Sequence, residues 1–393
     1  MHDLVVHNAR VFPMTDGIAM AAETTVAVDD GRITALGVPA DAPARRRIDA
    51  GGRALLPGFI DCHTHAVYAG DRMAEHARRL AGEDYAAIAK VGGGIMSTVR
   101  AVRAASEAQL VAESLPRIRA LAAEGVTTLE IKSGYGLTHD DELKQLRAIR
   151  AVAARVPLTV VPTFLGAHTV PAGEDRATYL TDLIERTLPV VAKDGLAVAV
   201  DIYAEHIAFD ATDLERLFTA ARALGLGVKV HAEQLSDIGA SERAAAFSPL
   251  SADHLEWLTD AGARALARCG AVAVLLPGAW VCLRDTRKPP VALLREHGVP
   301  IAVATDLNPG TSPVASLLAA MHLGAHAFDL TPTEVLRGVT VNAARALGLA
   351  DRGTIASGQR ADFCLWNIPA PEFLVYQLGG LRPDRVFIEG MEQ

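Results

Sequence analysis

Short apolar runs alternate with helical stretches along most of the chain. Eight runs are rich in β-branched or apolar residues: "GFIDCHTH", "VTTLEIKSGYG", "LTVVPTFLGAH", "LAVAVDIYAEH", "VKVHAEQ", "LSADHLE", "AVAVLLPGA" and "PIAVATDLNPG". This alternation predicts parallel strands joined by helices. Eight such units, with no dinucleotide-binding glycine motif after the first strand, favour a closed (β/α)₈ TIM barrel. An open doubly wound sheet is the structural alternative.

Some helices between the strands begin at recognisable caps. Ser106 with Gln109 three residues later predicts a helix that closes near Gly125, and Thr331-Pro332 with Glu334 predicts another. Ser312-Pro313 also has the form of a helix start, whose free amides would favour an anion.

The two ends of the chain have a different pattern. Residues 1–55 and 350–393 contain short strand-like runs and turns, and neither end is long enough to bury a core alone. We therefore predict that both ends form one small discontinuous β-sandwich domain beside a catalytic barrel over residues 56–349.

Composition excludes several classes of function. The 393 residues are 50% hydrophobic, enough for a large buried core, while the net charge of -8 and scattered basic residues argue against nucleic acid as a partner. The four cysteines are widely spaced without a CxxC pair, which is typical of a reducing compartment. Neither a signal sequence nor a membrane-spanning apolar run is present, so we expect a cytoplasmic protein without a membrane partner.

The chemistry collects at the predicted strand ends. His63 and His65 are two residues apart, so in a strand they share one face and could bind one cation, although two solvated loop histidines would give the same pattern. His231, His254 and Asp306 end three later strands. Because the carboxyl ends of barrel strands meet at one mouth, these five residues predict a metal site. Imidazole and carboxylate ligands suit zinc or iron.

Several segments resemble one known family. They are "PGFIDCHTHAVYAGDR", "GGGIMSTVRAVRAAS", "EIKSGYGL", "TFLGAH", "HAEQLS", "SADHLE", "AVLLPGA" and "TDLNPGTSP". Together they resemble the amidohydrolase superfamily, and most closely the imidazolonepropionases of histidine degradation. The resemblance implies hydrolysis of 4-imidazolone-5-propanoate to N-formimidoyl-L-glutamate, with one zinc or iron ion held by His63, His65, His231 and Asp306. It also suggests a homodimer.

The resemblance further implies a set of substrate-binding residues. These are Arg72, Tyr135, His168, Gln234, Asn308, Gly310 and Thr311. The guanidinium of Arg72 can pair with the propionate carboxylate of the substrate, and the hydroxyl of Tyr135 can donate to a ring or carboxylate oxygen. We expect His168 to polarise the ring carbonyl or to bind the tail. Asn308 and the backbone amides near Gly310 and Thr311 would hold the carboxylate or the ring.

Two of the strand-end residues are predicted to handle protons. A bound metal lowers the pKa of water towards neutrality, so that water can attack the ring carbonyl. Asp306 would accept the proton and return it to the leaving ring nitrogen, while His254 would stabilise the oxyanion or shuttle that proton.

Three further positions bear on the type of reaction and on the number of metal ions. Many superfamily deaminases carry a glutamate at the position of Gln234, and a glutamine cannot serve as their general acid, which counts against deamination. Whether Glu233 reaches the site stays open. Lys132 ends the second strand rather than the fourth, so a single metal is favoured over a pair bridged by a modified lysine, and Lys132 is then structural or supports the metal ligands.

The glycines 92–94 predict either a mobile active-site loop or a plain connector.

The rival functions are another cyclic amidohydrolase or deaminase on the same scaffold, and a mononuclear iron oxygenase with two histidines and a carboxylate. A third histidine argues against the oxygenase. A purely structural protein would have little use for this many polar groups at one mouth.

Overall fold

The computed structural model describes residues 1–83 and 93–393, so the first of the glycines 92–94, and with it part of the predicted mobile loop, lies outside the described residues. The strands are β1 His2–His7, β2 Arg10–Val11, β3 Val26–Asp29, β4 Arg32–Leu36, β5 Ala44–Asp49, β6 Ala54–Pro57, β7 Phe59–Asp61, β8 Val126–Lys132, β9 Thr159–Ala167, β10 Ala199–Ala204, β11 Gly227–Ala232, β12 Ser251–His254, β13 Val272–Leu275, β14 Ile301–Val303, β15 Phe363–Trp366, β16 Arg385–Ile388 and β17 Met391–Glu392.

The described helices lie mainly between the strands of the central sheet. They are α1 Met73–Leu80, α2 Ile95–Ala104, α3 Glu107–Ala122, α4 His139–Ala153, α5 Arg176–Asp182, α6 Leu188–Lys193, α7 Ala211–Ala223, α8 Ala240–Ala245, α9 Asp260–Cys269, α10 Pro277–Leu283, α11 Val291–Glu296, α12 Leu317–Phe328, α13 Pro332–Gly338, α14 Val341–Ala346 and α15 Phe373–Tyr376, with a π-helical turn at Leu183–Thr187 between α5 and α6. None of the described helices is long and apolar enough to cross a bilayer.

The central sheet is an eight-stranded parallel barrel. Strands β7 to β14 pair in sequence order, each parallel to the next. The first and last strands meet just beyond their ends, where Thr64 bridges Leu307 and the His65 amide donates to the Leu307 carbonyl at 2.9 Å. The closed (β/α)₈ barrel predicted from the alternating pattern is therefore confirmed, and its strand ends converge on one mouth.

The helix caps follow the sequence at two positions and differ at a third. Ser106 and Thr331 each form a capping box with the residue three positions on. The predicted helix start at Ser312-Pro313 is wrong, because α12 begins at Leu317 with Ser316 as its cap. The Ser312 hydroxyl donates instead to the Thr305 carbonyl at 2.7 Å, so it is not free to cap a helix.

Both ends of the chain contribute to two small sheets beside the barrel. One has the order β4-β3-β1-β5 and the other β17-β16-β15-β6-β2, in which the C-terminal β15 pairs antiparallel with the N-terminal β6. A separate apolar cluster lies between these sheets and includes Val26, Ile48, Phe363 and Phe387. The two ends therefore share one core, as the predicted sandwich requires, while the bounds 1–55, 56–349 and 350–393 stay a prediction.

Candidate metal centre and active site

The His63–His65 segment is held where the barrel closes. It follows the short strand β7, and its backbone pairs with the segment after β14, with the Asp306 amide donating to the His63 carbonyl at 3.0 Å. Both imidazoles are buried, at 0% and 2% exposure. Closure of the barrel therefore brings the first strand's histidines beside the last strand's aspartate.

Three histidines converge at this point. Ligand nitrogens of His63, His65 and His231 all lie within 4.8 Å of one another. Asp306 Oδ1 lies 3.5 Å from His63 Nε2 and 3.5 Å from His65 Nε2. Three imidazoles and a carboxylate at these separations are a donor set that suits zinc or iron.

Two carboxylates fix the orientation of two of these rings. His63 Nδ1 lies 2.6 Å from Asp253 Oδ2, and His231 Nδ1 lies 3.1 Å from Asp201 Oδ1. Because a carboxylate only accepts, each Nδ1 carries the proton and each Nε2 keeps its lone pair. Among the described residues, neither buried Nε2 atom has a hydrogen-bond partner. Buried, unpartnered lone pairs aimed at one point fit a metal ion.

Burial tunes the protonation of these groups towards metal binding. It lowers the pKa of His63 and of His65 well below the usual range, so both rings are neutral, as ligands must be. Burial also raises the pKa of Asp306 well above its usual range, and the Asp61 and Asp253 carboxylates act in the same direction. A cation between these residues would favour the ionised carboxylate.

A cavity of about 420 Å³ opens above this cluster at the barrel mouth. Ten of the residues predicted from the sequence line it: His65, Arg72, Tyr135, His168, His231, Gln234, His254, Asp306, Asn308 and Thr311. His63 lies beneath it, fully buried, and Gly310 lies behind Arg72. Its size is that of a small-molecule site.

Arg72 is held in the wall of this cavity. Its Nε and Nη2 atoms each lie 2.9 Å from Glu75 Oε2 in the first turn of α1. On the other side its Nη1 packs so closely on Gly310 that a Cβ there would lie 1.9 Å away. The Gly310 carbonyl in turn accepts from Arg79 Nη2 at 2.7 Å. The guanidinium is thus clamped between a helix and a backbone.

The side chain of Asn308 makes several of the hydrogen bonds that order the loop after Asp306. Asn308 Oδ1 accepts from the backbone amides of Gly310, Thr311 and Ser312 at 2.9, 2.7 and 3.3 Å. These amides were expected to face the substrate, but in the structure they are used to close this turn. Asn308 Nδ2 donates to the Asp306 carbonyl at 2.7 Å, so Asn308 also anchors the loop to the aspartate.

Tyr135 lies in a loop that is fixed by buried polar side chains of α4. Glu142 accepts from the amides of Gly134 and Gly136, at 3.1 and 2.7 Å. The Tyr135 amide donates to Gln145 Oε1 at 3.0 Å. The flanking glycines allow this loop to pack closely, because a Cβ at Gly136 would lie 2.4 Å from the Glu142 amide nitrogen and one at Gly134 would lie 2.9 Å from His168 Nδ1. Tyr135 is 4% exposed and lines the cavity wall.

His168 has a defined tautomer. Its Nδ1 lies 3.0 Å from the Gly134 carbonyl, which only accepts, so Nδ1 carries the proton. Burial lowers the pKa of this ring to about 3, which leaves it neutral at pH 7. The remaining Nε2 can then only accept a hydrogen bond. This changes the expected role, because polarising a carbonyl requires a donor.

Glu233, whose access to the site the sequence leaves open, does not line the cavity. The residue has φ of 49°, and its carboxylate accepts from the Ser241 amide at 3.1 Å and from the Ser241 hydroxyl at the start of α8. Gln234 lines the cavity instead. His254 and Asp306 also have positive φ, at 79° and 51°, so three strand ends bend sharply at the mouth. Non-glycine residues in this conformation are strained and cluster at functional sites.

Sequence reasoning missed the residues that support the metal ligands. Asp201 and Asp253 lie inside strands β10 and β12 and are fully buried. The position of Asp253 next to His254 in "SADHLE" was the available signal, but nothing local indicates which histidine it contacts 190 residues away. Tyr203 was also missed; its ring lies 5.9 Å from that of His231 and lines the cavity.

A closed barrel with three histidines and an aspartate at its strand ends defines the class of metal-dependent barrel hydrolases. The family model described as amidohydrolase family matches residues 54–392. The imidazolonepropionase of Xanthomonas oryzae pv. oryzae is 51% identical over 387 residues, which cover 96% of each chain. The chain therefore belongs to the amidohydrolase family and, within it, to the imidazolonepropionases.

Solved structures agree on the fold. N-isopropylammelide isopropylaminohydrolase from Burkholderia multivorans matches with a TM-score of 0.74 and 20% identity, over 100% of this chain and 98% of that one. An adenosine deaminase from Xanthomonas campestris, solved with bound zinc, matches with a TM-score of 0.71 and 19% identity, over 100% of this chain and 92% of that one. These structures support the fold, while the family model and the 51% identical relative confirm the predicted family and the hydrolase class.

Proposed function

We propose that this chain opens the ring of 4-imidazolone-5-propanoate by hydrolysis to give N-formimidoyl-L-glutamate, a step of histidine degradation. The observation that carries the proposal is one cavity that joins a buried three-histidine cluster to a clamped arginine. The first suits a metal that activates water, and the second suits a substrate carboxylate. The identity to imidazolonepropionases over nearly the whole chain supports the same substrate.

The proposed cofactor is one ion of zinc or iron. His63, His65, His231 and Asp306 would hold it, since their donor atoms converge and two Nε2 lone pairs are free of protein partners among the described residues. When bound, such an ion lowers the pKa of water towards neutrality and polarises a carbonyl. Imidazole and carboxylate ligands accept either metal, so availability in the cell decides which is loaded.

Arg72 is proposed to bind the propionate carboxylate. Its guanidinium lines the cavity, while Glu75 and Gly310 fix its position. A guanidinium fork pairs with a carboxylate through two parallel hydrogen bonds. Because Glu75 already neutralises part of the charge, the pair would orient the substrate rather than attract it from a distance.

The imidazolone ring would lie between the histidine cluster and the aromatic wall. His168 Nε2 is positioned as an acceptor and is proposed to take a hydrogen bond from a ring N–H. Tyr135, 5.5 Å from His168 between ring centroids, would contact the same ring. Gln234 is proposed to hydrogen-bond the substrate, and Asn308, Gly310 and Thr311 to shape the wall behind the carboxylate.

Asp306 and His254 are the proposed proton carriers. Asp306 is buried beside the histidines and would accept the proton from water as its oxygen attacks the ring carbonyl carbon. The ring C–N bond then breaks, and the proton passes to the departing nitrogen. His254 is a buried neutral imidazole, since burial lowers its pKa well below the usual range, and is proposed to stabilise the oxyanion or to relay that proton.

The decisive experiment combines a metal count with turnover. Purified protein should contain close to one metal ion per chain and should consume 4-imidazolone-5-propanoate with the appearance of N-formimidoylglutamate. Asp306→Asn should lose at least about 100-fold in kcat, since the general base is gone. A metal-loaded protein that leaves this substrate untouched but hydrolyses hydantoins or deaminates purines would overturn the substrate assignment.

Three further predictions belong to the same proposal and concern the partner and compartment, the oligomeric state and the domain bounds. We propose a cytoplasmic enzyme whose partner is a small molecule rather than nucleic acid, in line with the net charge of -8. We also propose a homodimer and a catalytic domain of residues 56–349. Light scattering on the purified protein tests the first of these two, and limited proteolysis near the bounds tests the second.

A further inference from the structure

A buried layer of charges lies directly beneath the histidine cluster. It contains the carboxylates of Glu130, Asp201 and Asp253 and the ammonium groups of Lys132 and Lys229, all of them 0% or 1% exposed. These side chains come from strands β8, β10, β11 and β12 and point into the barrel. Buried charges persist only where each has partners, so the layer is a built feature.

The two lysines have different partners. Lys132 Nζ lies 2.8 Å from Asp201 Oδ2, 2.9 Å from Glu130 Oε2 and 3.7 Å from Asp253 Oδ2. Lys229 Nζ lies 2.7 Å from Glu130 Oε1 and donates to the Cys62 carbonyl at 3.0 Å, while Asp253 is 4.0 Å away. Of the two lysines, Lys132 therefore pairs with both aspartates, whereas Lys229 pairs with Asp253 alone and at the longer distance.

Those two aspartates are the groups that orient two metal-binding rings. Asp201 uses its other oxygen, Oδ1, to accept from His231 Nδ1, and Asp253 accepts from His63 Nδ1 through the same Oδ2 that faces Lys132. Without the Lys132 ammonium, Asp201 would lose its contacting cation and Asp253 would keep only Lys229, 4.0 Å away, so the repulsion between the two buried carboxylates would be less well compensated. They would be expected to move apart, and this movement would release a histidine from its orientation.

We propose that Lys132 is a positioning residue that sets the metal affinity of the site, by holding Asp201 and Asp253 so that His63 and His231 present Nε2 to one point. The inference rests on the proposed metal centre but concerns a residue that touches neither metal nor substrate. Lys132 thus acts through two carboxylates on two different strands, which a purely structural lysine would not need to do.

Lys132→Met and Lys229→Met form a matched pair for the test. Each removes one buried ammonium from the same layer, so both are expected to lower thermal stability. The metal dissociation constant of each apo-protein is measured with Zn²⁺ in competition with a chromogenic chelator. Lys132→Met should weaken binding by about 10- to 100-fold, the range found for groups that support metal ligands, whereas Lys229→Met should stay within about threefold of the wild type.

Two further readouts separate positioning from general damage. The visible absorption spectrum of the Co²⁺-loaded protein reports ligand geometry, and it should change in Lys132→Met but not in Lys229→Met. Lys132→Gln keeps two N–H donors at this place and should recover part of the affinity.

Each outcome decides the matter. Equal zinc affinity in Lys132→Met and the wild type, or equal losses in both lysine variants, would overturn the inference. So would failure of both Lys132 variants to fold while Lys229→Met folds, because Lys132 would then be a structural residue. Failure of the wild type itself to bind Zn²⁺ would instead refute the proposed metal centre.

Discussion

Gly310→Ala is expected to impair substrate binding without unfolding the protein. A Cβ at this position would lie 1.9 Å from Arg72 Nη1 and 2.7 Å from its Cζ, whereas ordinary contacts begin at 3.4 Å. Nη1 would therefore have to move by about 1.5 Å, the difference between 3.4 and 1.9 Å. The loop itself cannot retreat easily, because the Gly310 amide is bound to Asn308 and its carbonyl to Arg79.

The size of the effect follows from the contact that is lost. A charged hydrogen-bonding pair such as Arg72 with a carboxylate is worth about 1.5–3 kcal/mol, so KM should rise about 10- to 100-fold. Stability should change by less than about 1 kcal/mol, since the displaced atom is the end of a flexible side chain. Steady-state kinetics on 4-imidazolone-5-propanoate and urea unfolding measure the two quantities.

The control is the same substitution in an Arg72→Ala background. There the new methyl group meets no guanidinium, so Gly310→Ala should add little to the loss already caused by Arg72→Ala. Full additivity of the two substitutions would refute the clamp. An unchanged KM in the single Gly310→Ala variant would refute the assignment of Arg72 to the substrate carboxylate.

Removal of the metal by chelation should abolish turnover and lower the melting temperature, with recovery of both on addition of Zn²⁺ or Fe²⁺; stable activity in the chelated protein would contradict the proposed mechanism. Asp253→Asn should weaken Zn²⁺ binding by about 10- to 100-fold, since the amide no longer serves as a charged acceptor for His63 Nδ1, and an unchanged dissociation constant would show that the contact is dispensable. Glu334 bonds to Arg295, which lowers its pKa from 4.5 to about 2. Because the unfolded chain takes up this proton first, the stability advantage over Glu334→Gln should be full above about pH 5 and shrink as the pH falls towards 2, as urea unfolding can measure; a constant difference would refute it.

Much of the fold could be predicted because its elements are encoded locally. A β-branched run followed by a capped helix is a local pattern, and its eightfold repetition leaves a closed barrel as the simplest arrangement. The capping boxes at Ser106 and Thr331 form within four residues, so they too can be predicted from the sequence. The helix start predicted at Ser312 was wrong because the Ser312 hydroxyl donates to the Thr305 carbonyl. This contact depends on how the loop folds back.

In the candidate site, too, some features could be predicted from local patterns and others depended on distant contacts. Side chains alternate along a strand, so the two-residue spacing of His63 and His65 places both on one face. Because the strand ends of a barrel converge, the positions of His231 and Asp306 at strand ends bring them to the same mouth. For His63 and His231, which ring nitrogen faces that mouth was decided by Asp253 and Asp201. Barrel closure and strand register bring these partners together.

The sequence by itself thus determined the elements, the chemistry of the strand ends and, through its resemblance to a family, the reaction. Tertiary structure alone decided the contacts between residues far apart in the chain: Arg72 against Gly310, His63 against Asp253, and Lys132 between two aspartates. The physical reason is that a local pattern specifies which face of a strand a residue occupies. Its partner across the barrel depends on the register and closure of all eight strands.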